Sequence, residues 1–358
     1  MPPRSLRPFA LLLASFALVA CAGRAVTVTS APSPLATPDR TRLLLSALAH
    51  DSMEGRATGT PGAARAARYI AERMREAGLE PAGDSGFFQR VPVAFRTQQQ
   101  RMRNGETREV TRPVLLESFA DLDTIPPARR LPSVNVVGVL RGSDPSVSNE
   151  YVLIGAHYDH EGIGRPLGGD SIYNGADDDA SGVVTVLEIA RMMASGVRPR
   201  RGVVFMAMTG EEVGLLGTNW FIRNPPVPFG QIVADLEFEM VGRSDSLAGG
   251  AGRLWLTGFE RSTMGESFAA AGLPIVADPR PSQNFFMRSD NIAFARRGIV
   301  AHTLSSFGMH REYHTPDDEV ELVDFDHMAA VINVAAHAAR LLADGPRPEW
   351  KPGGRPDP

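Results

Sequence analysis

The spacing of apolar positions changes along the chain, and each change marks a different kind of element. Between Thr60 and Gly78, the residues Ala66, Ile70, Met74 and Ala77 fall on one face of a helix. Thr60 is a natural N-cap, Pro61 suits the first turn, and Gly78 ends the pattern. From Phe87 to Leu131 the periodicity is weak and polar residues are frequent, which predicts irregular or hairpin-rich structure. From Val134 onward, short apolar runs alternate with helical stretches. The runs are Val134 to Leu140, Tyr151 to Ala156, Val203 to Met208, Ile232 to Met240 and Ile299 to Leu304. The clearest helix is Ser181 to Ala194, where Val183, Val186, Leu187, Ala190 and Met193 recur at helical spacing, and Thr257 to Ala271 is a weaker one. This alternation predicts an α/β fold, with a mostly parallel central sheet flanked by helices on both faces.

The chain ends follow other rules. Residues 1–21 read as an export signal: Arg4 and Arg7 precede an uncharged, largely apolar run from Pro8 to Ala20 that is too short for a comfortable membrane span. Leu18-Val19-Ala20-Cys21 resembles a bacterial lipobox, in which the cysteine carries lipid. Cys21 is the only cysteine in the chain, so the folded part holds no thiol to oxidise. The reading is an exported protein on the periplasmic side, lipid-anchored to a bacterial membrane through Cys21. Residues 22–40 have the composition of a flexible tether, 41–345 form one domain, and 346–358, rich in Pro and Gly, form a disordered tail. With 358 residues and 43% hydrophobic positions the chain can bury a substantial core. Its net charge of -4, with acids and bases interspersed, lacks the clustered basic excess of a nucleic-acid binder.

Candidate chemistry collects where apolar runs end, the place at which open α/β sheets bind ligands. Tyr151 to Ala156 leads into His157-Tyr158-Asp159-His160. A neutral imidazole suits zinc, and a nearby acid can orient it. Asp177-Asp178-Asp179 stands directly before the helix at Ser181, and three adjacent acids are tolerated around a cation or when solvated at a helix N-terminus. Glu211-Glu212 follows Met208, a pair able to divide metal binding from general-base work. Asp235, Glu237 and Glu239 alternate at strand period, which puts the three carboxylates on one face. His314 precedes Thr315-Pro316, which favours an extended backbone. Each group has a bland reading as a polar strand end, cap or surface turn. Together they offer imidazoles and carboxylates from five separated segments, a donor set that suits zinc. His50, His160, His302, His310, His327 and His337 lack comparable context and read as structural or surface residues.

The ordered set His157-Tyr158-Asp159, Gly175 to Gly182, Glu211 to Gly217, Glu239-Met240-Val241-Gly242, Ser289-Asp290 and Tyr313 to Pro316 resembles the M28 metallopeptidases. Met53 to Arg56 and Gly59 to Gly62 also look like that family's N-terminal region. The resemblance implies a single zinc-exopeptidase domain with two zinc ions bridged by Asp177. Glu212 and His314 complete one site, and His157 and Glu239 the other. Glu211 is implied as general base and Asp159 as the residue that orients His157. Peptide substrates and metal-assisted hydrolysis from the N-terminus follow, a metallo-aminopeptidase. Many relatives carry Asp where Glu239 stands and His where Asn291 follows Asp290. Asn284 to Arg288 contains no tyrosine to donate to an oxyanion. Two alternatives stay open, a one-zinc cyclase acting on N-terminal glutamine and a non-catalytic binding module on the same fold.

Overall fold

The computed structural model describes Met1, residues 34–102 and residues 105–358. Cys21 and the export signal after Met1 lie outside the described residues. Among the described residues, no helix is long and apolar enough to cross a membrane.

Helix α1 spans Pro38–Leu48, so the end of the anticipated tether is helical; the Thr37 hydroxyl caps it by accepting from the Arg40 amide. Helix α2 spans Pro61–Glu76, capped by Thr60, whose hydroxyl accepts the Ala63 amide at 3.2 Å. Ala66, Ile70 and Met74 are buried along its inner face, as their spacing requires.

The strands are β1 Glu80–Pro81, β2 Phe88–Arg101, β3 Thr107–Leu115, β4 Arg130–Leu140, β5 Tyr151–His157, β6 Gly162–Leu167, β7 Asp170–Tyr173, β8 Gly202–Met208, β9 Ile232–Phe238, β10 Leu254–Leu256, β11 Ile275–Ala277 and β12 Val300–Ser305. The main sheet runs β11-β10-β12-β9-β5-β8-β4-β2-β3, with β1 added beside β4, and β6 and β7 pair apart from it. Its centre is parallel: β12, β9, β5 and β8 all run the same way. The flanks are antiparallel, through β4, β2 and β3 on one side and the β10–β12 pair on the other. The parallel core matches the alternating pattern, and the long β2–β3 hairpin occupies the stretch with weak periodicity.

Strands β5, β8 and β9 are buried at every residue because helices cover both faces. Val152 and Ile154 join an apolar cluster with α1, α2, helix α3 (Gly182–Ser195) and the C-terminal helix Phe325–Asp344. Leu153, between them, points to the opposite face, where Phe221 and Phe294 close a second cluster.

Residues 346–358 are not a loose tail. Trp350 packs against both clusters and donates its indole N–H to the Gly298 carbonyl at 3.1 Å. The Lys351 amide bonds the Arg261 carbonyl at 2.9 Å. One large aromatic anchors a segment whose Pro and Gly content alone suggests disorder.

Candidate metal centre

Four parallel strands deliver their C-terminal ends to one edge of the sheet, and the candidate residues emerge there. His157 is the last residue of β5, Glu211 and Glu212 follow β8, Glu239 follows β9, and His314 lies in the loop after β12. The buried Arg56 guanidinium ties the loop after β5 to the segment leading into Asp177-Asp178-Asp179, donating to the carbonyls of Tyr158 at 2.8 Å, Asn174 at 2.6 Å and Gly175 at 2.8 Å.

The donor atoms converge in two groups that share one carboxylate. His160, Asp178, Glu212 and His314 place donor atoms within 4.8 Å of one another, and so do His157, Asp178 and Glu239. His314 Nε2 lies 3.1 Å from Asp178 Oδ2 and 3.3 Å from Glu212 Oε2, and His157 Nε2 lies 3.4 Å from Asp178 Oδ1. His160 Nδ1 is 2.9 Å from Glu212 Oε1. The buried His314 Nε2 makes no aligned hydrogen bond despite these short approaches. His160 Nδ1 and Glu212 Oε1 are hydrogen-bonded, while the other donors crowd a common point, and His314 Nε2, unpaired at its centre, fits a cation between them.

The shared acid is Asp178, not Asp177. The acid loop leaves helical geometry at Asp178 (φ -104°, ψ 99°) and Asp179, so three consecutive carboxylates point three ways. Asp177 turns away from the cleft: its Oδ1 accepts the Gly242 amide at 2.7 Å and its Oδ2 lies 3.0 Å from His310 Nε2. Asp178 enters the cleft. Asp179 Oδ1 turns to the amides of Gly182 at 3.0 Å and Met240 at 3.1 Å. The residues implied as ligands besides Asp177 are brought together, and His160, expected to be structural or on the surface, is added to them. Its place directly after the His-x-Asp is the one signal for His160; nothing in three identical neighbours singles out Asp178.

Asp159 holds its neighbours differently from the simple pairing expected. The backbone carbonyl of Asp159 takes the His157 Nδ1 hydrogen bond at 3.1 Å, while its carboxylate stands 3.9 Å from that nitrogen. This fixes the tautomer and leaves Nε2 free toward Asp178. The Asp159 carboxylate instead accepts the Thr58 hydroxyl at 2.9 Å and the Glu211 amide at 3.2 Å. It therefore positions the backbone of Glu211.

Electrostatics show a site short of positive charge. Burial, with the surrounding carboxylates, pushes Glu211 well above the usual range, although the His157 charge opposes this. Burial likewise raises Glu239 to about 7. For His314, burial works against the charged form, but the close Asp178 and Glu212 carboxylates prevail and raise it to about 10. Burial and the Asp178 charge oppose ionisation of Glu212, yet His160 and His314 hold it down at about 2. A bound cation supplies the charge that these histidines must otherwise carry.

Tyr313 stacks on His314, with ring centroids 3.9 Å apart, and its side chain lines the cleft with Glu211 and Glu239. Among the described residues it is the tyrosine that lines the cleft, whereas Asn284 to Arg288 contains none. Asn291 is structural: its amide donates to the Phe286 carbonyl at 3.1 Å and its Oδ1 accepts the Thr303 hydroxyl at 3.0 Å.

The profile of peptidase family M28 matches residues 135–339, more than half of the chain and every donor in the cleft. The chain belongs to peptidase family M28. A probable zinc metalloprotease of Pyrenophora teres f. teres is 38% identical over 109 residues, which cover 30% of this chain and 23% of that protein. The chain spans under a quarter of the length of such curated relatives. Among solved structures, a zinc aminopeptidase from Bacillus subtilis superimposes with a TM-score of 0.64 at 17% identity, covering 87% of this chain and 96% of that one. A glutaminyl cyclase from Porphyromonas gingivalis gives 0.56 at 18% identity, covering 85% and 98%. Within M28, then, the fold is aminopeptidase-like, with the His, Asp and Glu cluster centred on Asp178.

Proposed function

We propose that this M28 protein is a zinc-dependent aminopeptidase that removes residues from the N-terminus of peptides. The observation that carries the reading is the shared Asp178 carboxylate between two converging donor groups. Asp178, Glu212 and His314, with His160 beside them, would hold one zinc ion, and His157, Asp178 and Glu239 a second. When bound, the zinc ions supply Lewis acidity toward the peptide carbonyl.

The chain's own groups do the rest. Glu211, buried in the cleft and held by the Asp159 carboxylate at its amide, takes a proton from the attacking water and returns it to the leaving amine. The Tyr313 phenol, raised by burial and the nearby carboxylates, keeps its proton and offers an O–H donor in the cleft. Glu211 is the glutamate of the cleft that stands outside both donor groups, and a free substrate amino group would meet it there.

An assay of zinc-reconstituted protein on aminoacyl peptides and N-terminally blocked analogues, with zinc measured on the same sample, tests this. Hydrolysis confined to free N-termini supports it, and ammonia release with pyroglutamate formation and no hydrolysis would favour the cyclase. Glu211→Gln should lower turnover about 10²–10⁴-fold with zinc content kept, whereas Glu212→Gln should lose zinc. Substantial activity in Glu211→Gln would remove its role as base.

We also propose that the protein is exported and held at a bacterial membrane through lipid on Cys21. Cys21→Ala should shift it from the membrane to the soluble fraction. Unchanged partition would rule the anchor out.

A further inference from the structure

The metal cleft continues into a pocket walled by Trp255, Phe285, Phe307 and Tyr313, and a single basic side chain, Arg288, lines it. Other arginines nearby are neutralised. Arg243 pairs with Glu312 at 3.0 Å and Arg280 with Asp245 at 2.6 Å. Among the described residues Arg288 has no carboxylate partner; its guanidinium lies over the Phe285 ring, 5.0 Å from the centroid.

The segment that carries Arg288 is held on both sides. Its amide bonds the Phe285 carbonyl at 3.0 Å. The next residue, Ser289, bonds Glu239, and Asp290 accepts the Thr218 hydroxyl. Stacking on Phe285 occupies one face of the guanidinium and leaves its N–H edge free, the geometry that takes a carboxylate through two parallel hydrogen bonds. Asp178, Glu212 and Glu239 belong to the metal donor groups and Glu211 is the proposed base, so an exposed cation at the same cleft is unlike the usual solvated surface arginine.

Resting on the aminopeptidase reading, we infer that Arg288 binds a carboxylate of the substrate, so that preferred substrates carry a negative charge close after the N-terminal residue. Two sources share this chemistry: the terminal carboxylate of a very short peptide, and an acidic side chain at the second position.

The test compares kcat/KM on matched pairs with the zinc-loaded full chain. One pair is a dipeptide against its C-terminal amide. The other is a longer amidated peptide with Glu against Gln at its second position. In the wild type at least one pair should favour the charged member by about 10-fold or more, mainly through KM, the scale of a charge-assisted bidentate contact. The pair that does so identifies the source. In Arg288→Ala that ratio should collapse toward one, and Arg288→Lys should restore part of it. Inhibition by the charged and amidated products gives an equilibrium readout that should move with the same ratio. A wild-type ratio near one for both pairs, or a ratio that survives Arg288→Ala, would overturn the inference. An enzyme that cleaves neutral peptides yet shows no ratio defeats the anchor alone. Absence of turnover on every peptide defeats the aminopeptidase reading and the anchor with it.

Discussion

At the scale of single residues, direction decides function more than identity does. Asp177, Asp178 and Asp179 are chemically identical, yet one props the floor of the site, one enters the cleft, and one receives the amide of Gly182 at the start of α3. Residue types alone placed a carboxylate there, but the backbone torsions that splay the three depend on contacts distant in sequence. The Asp318 carboxylate is one such contact, accepting the Asp177 amide at 3.1 Å and the Asp178 amide at 3.0 Å. The consequence is a contrast between two neighbouring substitutions. Asp178→Asn should strip zinc from both positions and abolish activity. Asp177→Asn should retain zinc but lower stability by roughly 1–3 kcal/mol, since its carboxylate serves a buried amide and a histidine. Elemental analysis of zinc and denaturant unfolding on both variants separate the two roles. Zinc loss confined to Asp177→Asn would reverse the assignment.

At the scale of elements, period was readable and burial was not. The alternation Asp235, Glu237, Glu239 marks a strand whose acids share a face, but the same pattern fits a half-exposed strand. In the structure Asp235 and Glu237 are both buried, and none of their carboxylate oxygens finds a hydrogen-bond donor. Glu237 lies against Gly155 of β5, where a Cβ atom would stand 2.2 Å from its Oε2, so only glycine leaves space for it. Burial, with the nearby Asp290 charge, raises Asp235 well above the usual range, although contact with Glu237 partly opposes this. A group that binds its proton more tightly when folded contributes stability that is complete below its unfolded pKa of about 4 and is lost as pH rises through the folded value. Asp235→Asn removes that loss and adds an amide donor for Glu237. It should therefore stabilise the protein by roughly 1–3 kcal/mol at pH 8 and by less at pH 5. Urea unfolding of both proteins at the two pH values measures this, and a variant less stable at pH 8 would show that ionised Asp235 has a partner.

At the scale of the whole molecule, the parallel centre was legible because strands covered on both faces leave continuous apolar runs, whereas the antiparallel flanks and the C-terminal segment leave weaker traces. Strand β2 turns polar toward its end, where its pairing with β3 leaves residues exposed, so no apolar rhythm records it. Residues 346–358 are harder still, since Pro and Gly are frequent in them and the one large apolar side chain that packs is an indole. Trp350 meets Phe286 at 6.4 Å and His302 at 5.5 Å between ring centroids, and the adjacent Lys351 ammonium pairs with Glu266 at 2.6 Å. The exposed ion pair adds little, so most of the segment's contribution rests on the indole. Deleting residues 346–358 should therefore cost roughly 3 kcal/mol, and Trp350→Ala in the full chain should reproduce most of that loss. Because Trp350 closes the apolar layer beneath β12 rather than the cleft, zinc content measured below the unfolding transition should stay as in the full chain. Denaturant midpoints for the two variants decide the matter. A deletion with an unchanged midpoint would mean that the segment rests on the surface without stabilising it, and zinc loss in Trp350→Ala would mean that the indole supports the loop carrying His314.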